Sequence, residues 1–556
     1  RIEVSRGPNG VTYGSNAFLG VIHIITRHPS TQQGTRATVT LDDDQYRETA
    51  LRHAGGRGDF TYRLSGSYKE DNGFEAYTSP TGTLYERNDD SDTVGLTFRG
   101  DYRGGVNDYL TLHLGAASGG RGTGFSYDPA DPLREREMEV NYQQVKWQHI
   151  IDSESEVNVQ FYHNLHQVTD KFDTAPLSQI LTYYYDYEGN CLPVPTEAQC
   201  LLYPFDSADL ALIGLDDQTL ARDTSMRSER YDLELTHRFR LTDTTRLVWG
   251  GELRLDEVKA GDYFHTGERY QHQLVRLFFN GEWKPTSRWV VNLGEMVEQS
   301  TLVGALHSPR LAINRLVGES GYARVSAGRA YRMPTATEEH ANFTFHYPDG
   351  TVLHQLYDSP GGLEPERIES VEFAMGAERG GAGYELKVFR EEISAEIDAV
   401  KNSASTADWT MAQGGTTTIE GAEIQLRARS ADSLLSLAYA QTRAYGQHLY
   451  AINPEETEET TEAVPRQTLN MLLSLRLGAG LWAGLNYYSV SPMRFYSGDT
   501  TQGVQSADFT LSKSFELSGH PAKLRFVVKD LLGSYFDFEE ETVSRKRSYL
   551  TLQMDF

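Results

Sequence analysis

Leu550-Thr551-Leu552-Gln553-Met554-Asp555-Phe556 closes the chain with apolar and polar side chains in strict alternation. In an extended strand successive side chains point to opposite faces, so this stretch has one greasy face and one polar face. The pattern recurs upstream. Leu524, Phe526 and Val528 alternate with Lys523, Arg525 and Lys529. Val275, Leu277, Phe279 and Trp283 alternate with Arg276, Asn280 and Glu282, with Phe278 interrupting the polar face. Val157, Val159, Phe161 and Leu165 face away from Asn158, Gln160, Asn164 and His166. Period two therefore dominates from about residue 35 to the last residue.

The connections between these segments alternate as well. Short breaks fall near 54–58, 103–107, 152–154, 241–244, 284–287, 317–321, 379–383, 430–433, 478–480 and 518–521. Between them lie mostly long breaks, near 70–91, 119–135, 169–224, 256–270, 332–364, 400–415, 445–463, 492–503 and 533–545, with two brief ones near 42–45 and 299–306. Counting gives about 22 strands with a mean repeat of roughly 24 residues. Tight turns on one side and long loops on the other predict an all-β fold, a transmembrane antiparallel β-barrel of the bacterial outer membrane. A soluble propeller or tandem sandwich is the competing fold, but it calls for polar outer faces and does not alternate its loop lengths.

Composition agrees once it is divided between two faces. The 556 residues are only 39% hydrophobic, with 50 Gly, 32 Tyr and 23 Phe, and the mean hydropathy is −0.51. No stretch approaches the roughly 18–20 consecutive apolar residues that a membrane-spanning helix needs. Asp and Glu number 78 against 52 Lys and Arg, a net charge of −26, which argues against a nucleic-acid partner. The two cysteines, Cys191 and Cys200, sit in the longest loop with Pro193 and Pro195 between them. A small surface-loop disulfide is expected there, with metal binding as the alternative; no clustered histidine accompanies them.

The N-terminus narrows the reading. Arg1-Ile2-Glu3-Val4-Ser5-Arg6-Gly7-Pro8, Tyr13-Gly14-Ser15-Asn16-Ala17 and Gly20-Val21-Ile22-His23-Ile24-Ile25-Thr26-Arg27 stand in order. Together they resemble the closing segment of the plug in TonB-dependent outer-membrane receptors, with His23 where Asn is usual. Ser308-Pro309-Arg310-Leu311, the stretch Gly328-Arg329-Ala330-Tyr331-Arg332-Met333-Pro334, Leu363-Glu364-Pro365-Glu366 and Val528-Lys529-Asp530-Leu531-Leu532 also fall in family order. The terminal Phe556 matches the aromatic end such barrels present to the assembly machinery. The resemblance implies a plug remnant over 1–30 and a barrel over 31–556. Most of the plug, and the motif that contacts the energy-transducing TonB complex, would lie upstream of Arg1. The chain opens directly on a strand rather than a signal peptide, so a processed end or a fragment is expected.

What the resemblance implies about residues is more detailed. Arg6 matches a plug arginine that the family pairs with barrel glutamates, and Glu372, on an inward-alternating position, is the expected partner; two separately solvated charges are the alternative. In haem receptors of the family a loop after the F-R-x-P stretch carries an axial histidine. Tyr331, Arg332, His340, His346 and His354 are therefore candidate ligand contacts, although the usual companion N-P-N-L reads here as Gly361-Gly362-Leu363-Glu364. Ordinary polar loop histidines are the competing explanation. Tyr184 and Tyr185 could stack on a planar chelate or simply anchor their loop. The acidic run Glu455-Glu456-Thr457-Glu458-Glu459, in the loop 452–463, reads as a solvated loop or a divalent-cation site.

No nucleophile–base spacing, phosphate loop or metal motif stands out, so the expectation is non-enzymatic, with no cofactor and no resident metal. The resemblance implies uptake of a scarce nutrient, a ferric siderophore first, haem or cobalamin next. Expected partners are outer-membrane lipid and lipopolysaccharide, an iron chelate, and the TonB complex for the full-length protein, with the chain a monomer. A passive pore or surface-binding barrel is the alternative from a different class.

Overall fold

The structure, a computed structural model, describes residues 1–556 apart from 44, 75–76, 79–83, 86–87, 127, 181–217, 265–268, 347–349, 351, 402–406, 448–462, 495–499, 502 and 537–542. Cys191, Cys200, Tyr184, Tyr185 and the run 455–459 lie outside the described residues.

Among the described residues, twenty-two antiparallel strands close into one barrel. The first, Gly34–Asp42, pairs with the last, Arg547–Asp555, from Arg36 opposite Asp555 to Asp42 opposite Tyr549. Closure leaves the ring without a sheet edge, which hydrocarbon demands because it offers no partner to a free N–H or C=O. Alternation sets the two faces as the sequence predicts. On Arg269–Thr286, Leu277 is 63% exposed on the outer face, whereas the neighbouring Arg276 is 5% exposed on the inner one. Leu293, Val371 and Leu550 are likewise exposed. Their inward counterparts Glu298 and Ser308 are buried, because something covers the inner wall there.

Every predicted tight turn is present. Arg57 is followed by strand Phe60–Asp71, Asp152 by Ser155–Thr169, and Arg379 by Ala382–Lys401. The opposite end carries the long loops. The strands of the ring run from 9 residues in Arg547–Asp555 to 23 in Ala407–Arg429. About 9–11 tilted residues are enough to span a bilayer, and the longer strands exceed that length.

One region differs from the sequence reading. The sequence pattern predicts a long loop over 332–364, but the stretch holds a short helix, Ala336–His340, and a hairpin, Asn342–His346 with Val352–Asp358. The second hairpin strand runs parallel to the start of Ala407–Arg429, with Tyr357 opposite Trp409. Residues 1–31 stand apart from the ring of strands. Ile2–Arg6 and Gly20–Ile24 form a separate two-stranded ribbon, and the helical turn Gly10–Tyr13 between them rests on four consecutive barrel strands from Arg269 to Arg332.

Candidate functional site

The N-terminal segment is held to the inner wall, near the long-loop end, by two clamps. The first centres on Ser15. Its backbone N–H donates to both carboxylate oxygens of Glu298, at 3.0 and 2.9 Å, and its hydroxyl donates to Oε1 at 2.9 Å. Arg276 completes the group, donating from Nε to Glu298 at 2.6 Å and from Nη1 to Glu252 at 2.6 Å. One guanidinium thus bridges two barrel carboxylates beneath a segment that lends its own N–H. A buried charge pair survives only if every lone pair finds a donor, and here Glu298 is fully buried with both oxygens occupied. Gly14 makes the approach possible. It holds φ at +78°, and a Cβ there would lie 2.5 Å from Cζ of Arg276.

The second clamp is Asn16, a non-glycine residue at φ 74°. Its N–H donates to the Tyr331 carbonyl at 2.8 Å, and its side-chain oxygen accepts from Met333 N–H at 3.0 Å. Short polar side chains tolerate this left-handed backbone best because they bond locally. Next to it Phe18 packs on Ala330 and Ile368 in a small buried cluster. Asn16 thereby joins the segment to the point where strand Gly321–Arg332 gives way to the helix and hairpin above.

Arg6 does contact the barrel, but through a different glutamate from the one expected. Its Nη1 lies 2.8 Å from Oε1 of Glu423. Glu372 instead meets Arg324 at 2.5 Å and Lys387 at 3.0 Å, which occupy it from neighbouring strands. An inward position alone does not identify which of several inward carboxylates lies beneath the segment.

The hub above is tied together by ion pairs and rings. Arg332 meets Glu366 at 2.6 Å and Glu338 at 2.9 Å. Thr335 caps the helix, accepting from Glu338 N–H at 3.1 Å, while the Glu338 carboxylate accepts from Thr335 N–H at 2.7 Å. Glu339 accepts from the backbone of Gly362 and, at 3.1 Å, of Leu363. His340 lies flat on Tyr270, centroids 3.8 Å apart and 10° between planes. Phe264 meets the Tyr270 ring edge-on. Burial holds the imidazole below its ordinary value of 6.5. Arg222, absent from the sequence reading, is buried over the faces of Phe343 and Phe345 at 4.7 and 4.1 Å, with Asp262 at 3.1 Å.

The candidate ligand contacts are therefore not one constellation. Arg332 and His340 are structural members of the hub, and Tyr331 packs against the buried cluster of Leu274, Leu306 and Met333. His346 is exposed on the hairpin, and His354 sits on the partner strand opposite Phe345. Among the described residues no group of three His, Cys, Asp or Glu is placed to hold a metal ion. Ser15, Asn16, Arg276 and Glu298 were missed as a unit. Tyr13-Gly14-Ser15-Asn16 was visible as a motif, but its partners lie more than two hundred residues away.

The comparisons with known proteins agree with this architecture. Residues 38–531 match the family described as TonB dependent receptor-like, beta-barrel. A stretch of 136 residues is 29% identical to the vitamin B12 transporter BtuB of Vibrio vulnificus (strain CMCP6), covering 23% of this chain and only 22% of that transporter. The FrpB iron transporter from Neisseria meningitidis (F3-3 variant) superposes with a TM-score of 0.75 at 12% identity, over 100% of this chain and 87% of that one. The siderophore receptor PirA from Pseudomonas aeruginosa gives 0.68 at 14% identity, over 100% and 86%. The copper transporter OprC gives 0.70 at 14% identity, over 100% and 85%. Identities this low show a shared fold. The matched family consists of transporters and receptors, not enzymes, and its barrels are in general outer-membrane proteins. By the match over most of its length, the chain belongs to the TonB dependent receptor-like β-barrel family.

Proposed function

We propose that this chain is the barrel, with the last part of the plug in residues 1–30, of an outer-membrane transporter that imports a chelated metal, a ferric siderophore being the preferred cargo. The observation that carries the reading is the double clamp of Ser15 and Asn16. It ties a lumenal segment both to the buried wall group Arg276–Glu298 and to the base of the loop hub. A segment bonded to both can respond to events at the loops and be drawn from the wall, which an energised importer requires and a passive pore does not. Siderophore and iron appear in the names of two structural relatives, which supports an iron chelate. The BtuB stretch supports cobalamin as the second reading.

The test uses iron-starved cells that lack their own receptors and express the full-length protein. Growth on one ferric siderophore, lost when the TonB complex is removed, is the expected result. Growth rescued by cobalamin alone would favour the second reading. Nutrient entry that persists without TonB, with a large steady conductance in planar bilayers, would contradict energised import.

A further inference from the structure

On the inner wall of the first barrel strands, away from the Ser15 clamp, lies a cavity of about 360 Å³. Its size falls in the range of small-molecule pockets, roughly 300–1,000 Å³. Strand register carves it. Ala50 stands opposite Ser67, Ser67 opposite Gly95, and Gly95 opposite Ala117, so four neighbouring strands place small residues in one row. Arg36, Arg52 and the hydroxyl residues Thr38, Ser65 and Thr97 border that hollow. On strand Arg47–Arg57, Leu51 is exposed on the outer face, which puts Arg52 on the lumenal one. Among the described residues no Asp or Glu lines the cavity, in a chain of net charge −26.

Like charges are set face to face around it. Arg36 pairs in register with Arg52, and Arg63 with Arg99. Cations directly opposite one another weaken a sheet unless an anion compensates them. The two nearby carboxylates are already spent on one arginine each. Asp555 accepts from Arg36 through both oxygens, at 2.5 and 2.9 Å, and Asp101 from Arg99 through both, at 2.8 and 2.9 Å. Arg63 finds only neutral oxygens, the Arg27 carbonyl and Gln32 Oε1, each at 3.2 Å. The segment 25–33, which passes over these strands, contains no Asp or Glu. Arg52 has less still. Its Nε is buried without a hydrogen-bond partner, and among the described residues no carboxylate pairs with its guanidinium. A buried charged donor left unmade is costly, so the site is incomplete without an acceptor.

We infer that this cavity binds a small oxyanion, held by the guanidinium of Arg52 and by the hydroxyls of Ser65, Ser67 and Thr97. The planar fork of an arginine matches the paired oxygens of a phosphate or a carboxylate, and each hydroxyl can donate to a further oxygen. The bound charge also relieves the opposition of Arg36 to Arg52 across the strands. The site is separate from the loop hub and does not depend on which nutrient the barrel imports.

The experiment is calorimetric titration of the full chain, folded in detergent, with inorganic pyrophosphate and with citrate, which tell a phosphate site from a carboxylate site. At least one of the two should bind at one per chain. Arg52→Ala should weaken that binding about tenfold or more, the loss expected for a charged hydrogen bond. Lys529→Ala, which removes the same charge from a distant wall, should leave it unchanged. Ser65→Asp sets a carboxylate directly opposite Arg52 and should abolish binding in a barrel that keeps its heat-modifiable mobility; this variant decides the matter should Arg52→Ala fail to fold. A parent chain that binds neither anion overturns the site. So does equal binding by Ser65→Asp or Arg52→Ala, or a loss in Lys529→Ala as large as in Arg52→Ala. Each of these results leaves the transporter reading standing.

Discussion

Glu298 is the side chain on which the seating of the N-terminal segment turns. It accepts from Ser15 twice through the backbone and once through the hydroxyl, and from Arg276. Glu298→Ala leaves a buried guanidinium with one carboxylate and a buried N–H with no acceptor, a loss of about 3–5 kcal/mol by analogy with other broken buried pairs. The expected outcome is fast hydrogen exchange at residues 14–16 with the barrel itself intact; unchanged protection there would contradict the clamp. His340 gives a prediction of another kind. Its folded pKa lies below the ordinary 6.5 because burial disfavours the imidazolium. The unfolded loop therefore takes up the proton first, so the stability of the hub is fully present above 6.5 and declines as pH falls through that value toward the folded pKa. His340→Phe keeps a ring on Tyr270 and removes the titration. Exchange protection over 336–340 should then lose its dependence on pH in that window.

At the level of elements, the strands were legible and the contacts between distant ones were not. Alternation at Val275–Phe279 and Leu550–Phe556 reports which face meets lipid, because burial on one side selects apolar residues at every second position. Turn positions such as 478–480 and 518–521 were legible from their small and polar residues for the same local reason. The hairpin Asn342–His346 with Val352–Asp358 is not legible in the sequence although Asn342-Phe343-Thr344-Phe345-His346 alternates. Its two strands are short, and its second strand is secured by a parallel partner some fifty residues later. Likewise Arg6 announced a barrel carboxylate, but Glu423, Glu372 and Glu391 all occupy inward positions, and only the three-dimensional register selects Glu423. Gly14 tests the turn between helix and clamp. Gly14→Ala places a Cβ against Arg276 in a backbone region that side chains avoid, at a strain of about 1–3 kcal/mol. Limited proteolysis should then release the segment more readily than in the parent, whereas equal resistance would mean that the turn relaxes without cost.

For the whole molecule, one prediction separates a membrane barrel from a soluble β-array of the same strand count. Leu277 is exposed at mid-strand on the outer face. Leu277→Arg should destabilise the folded barrel in lipid by about 2–4 kcal/mol, the cost of a cation near the bilayer midplane. In a soluble array it should cost close to nothing. The composition, a long and acidic chain only 39% hydrophobic, follows from the same geometry. Apolar residues need to cover one face only, while polar residues line the lumen and the loops. The proposed energised import through this barrel is read out by uptake of radioactive iron into receptor-deficient cells expressing the full-length protein. Ferric siderophores are supplied one at a time, with the TonB complex present or absent. Saturable uptake of one of them that vanishes without the complex is expected; uptake that rises linearly with concentration and ignores the complex would contradict energised import.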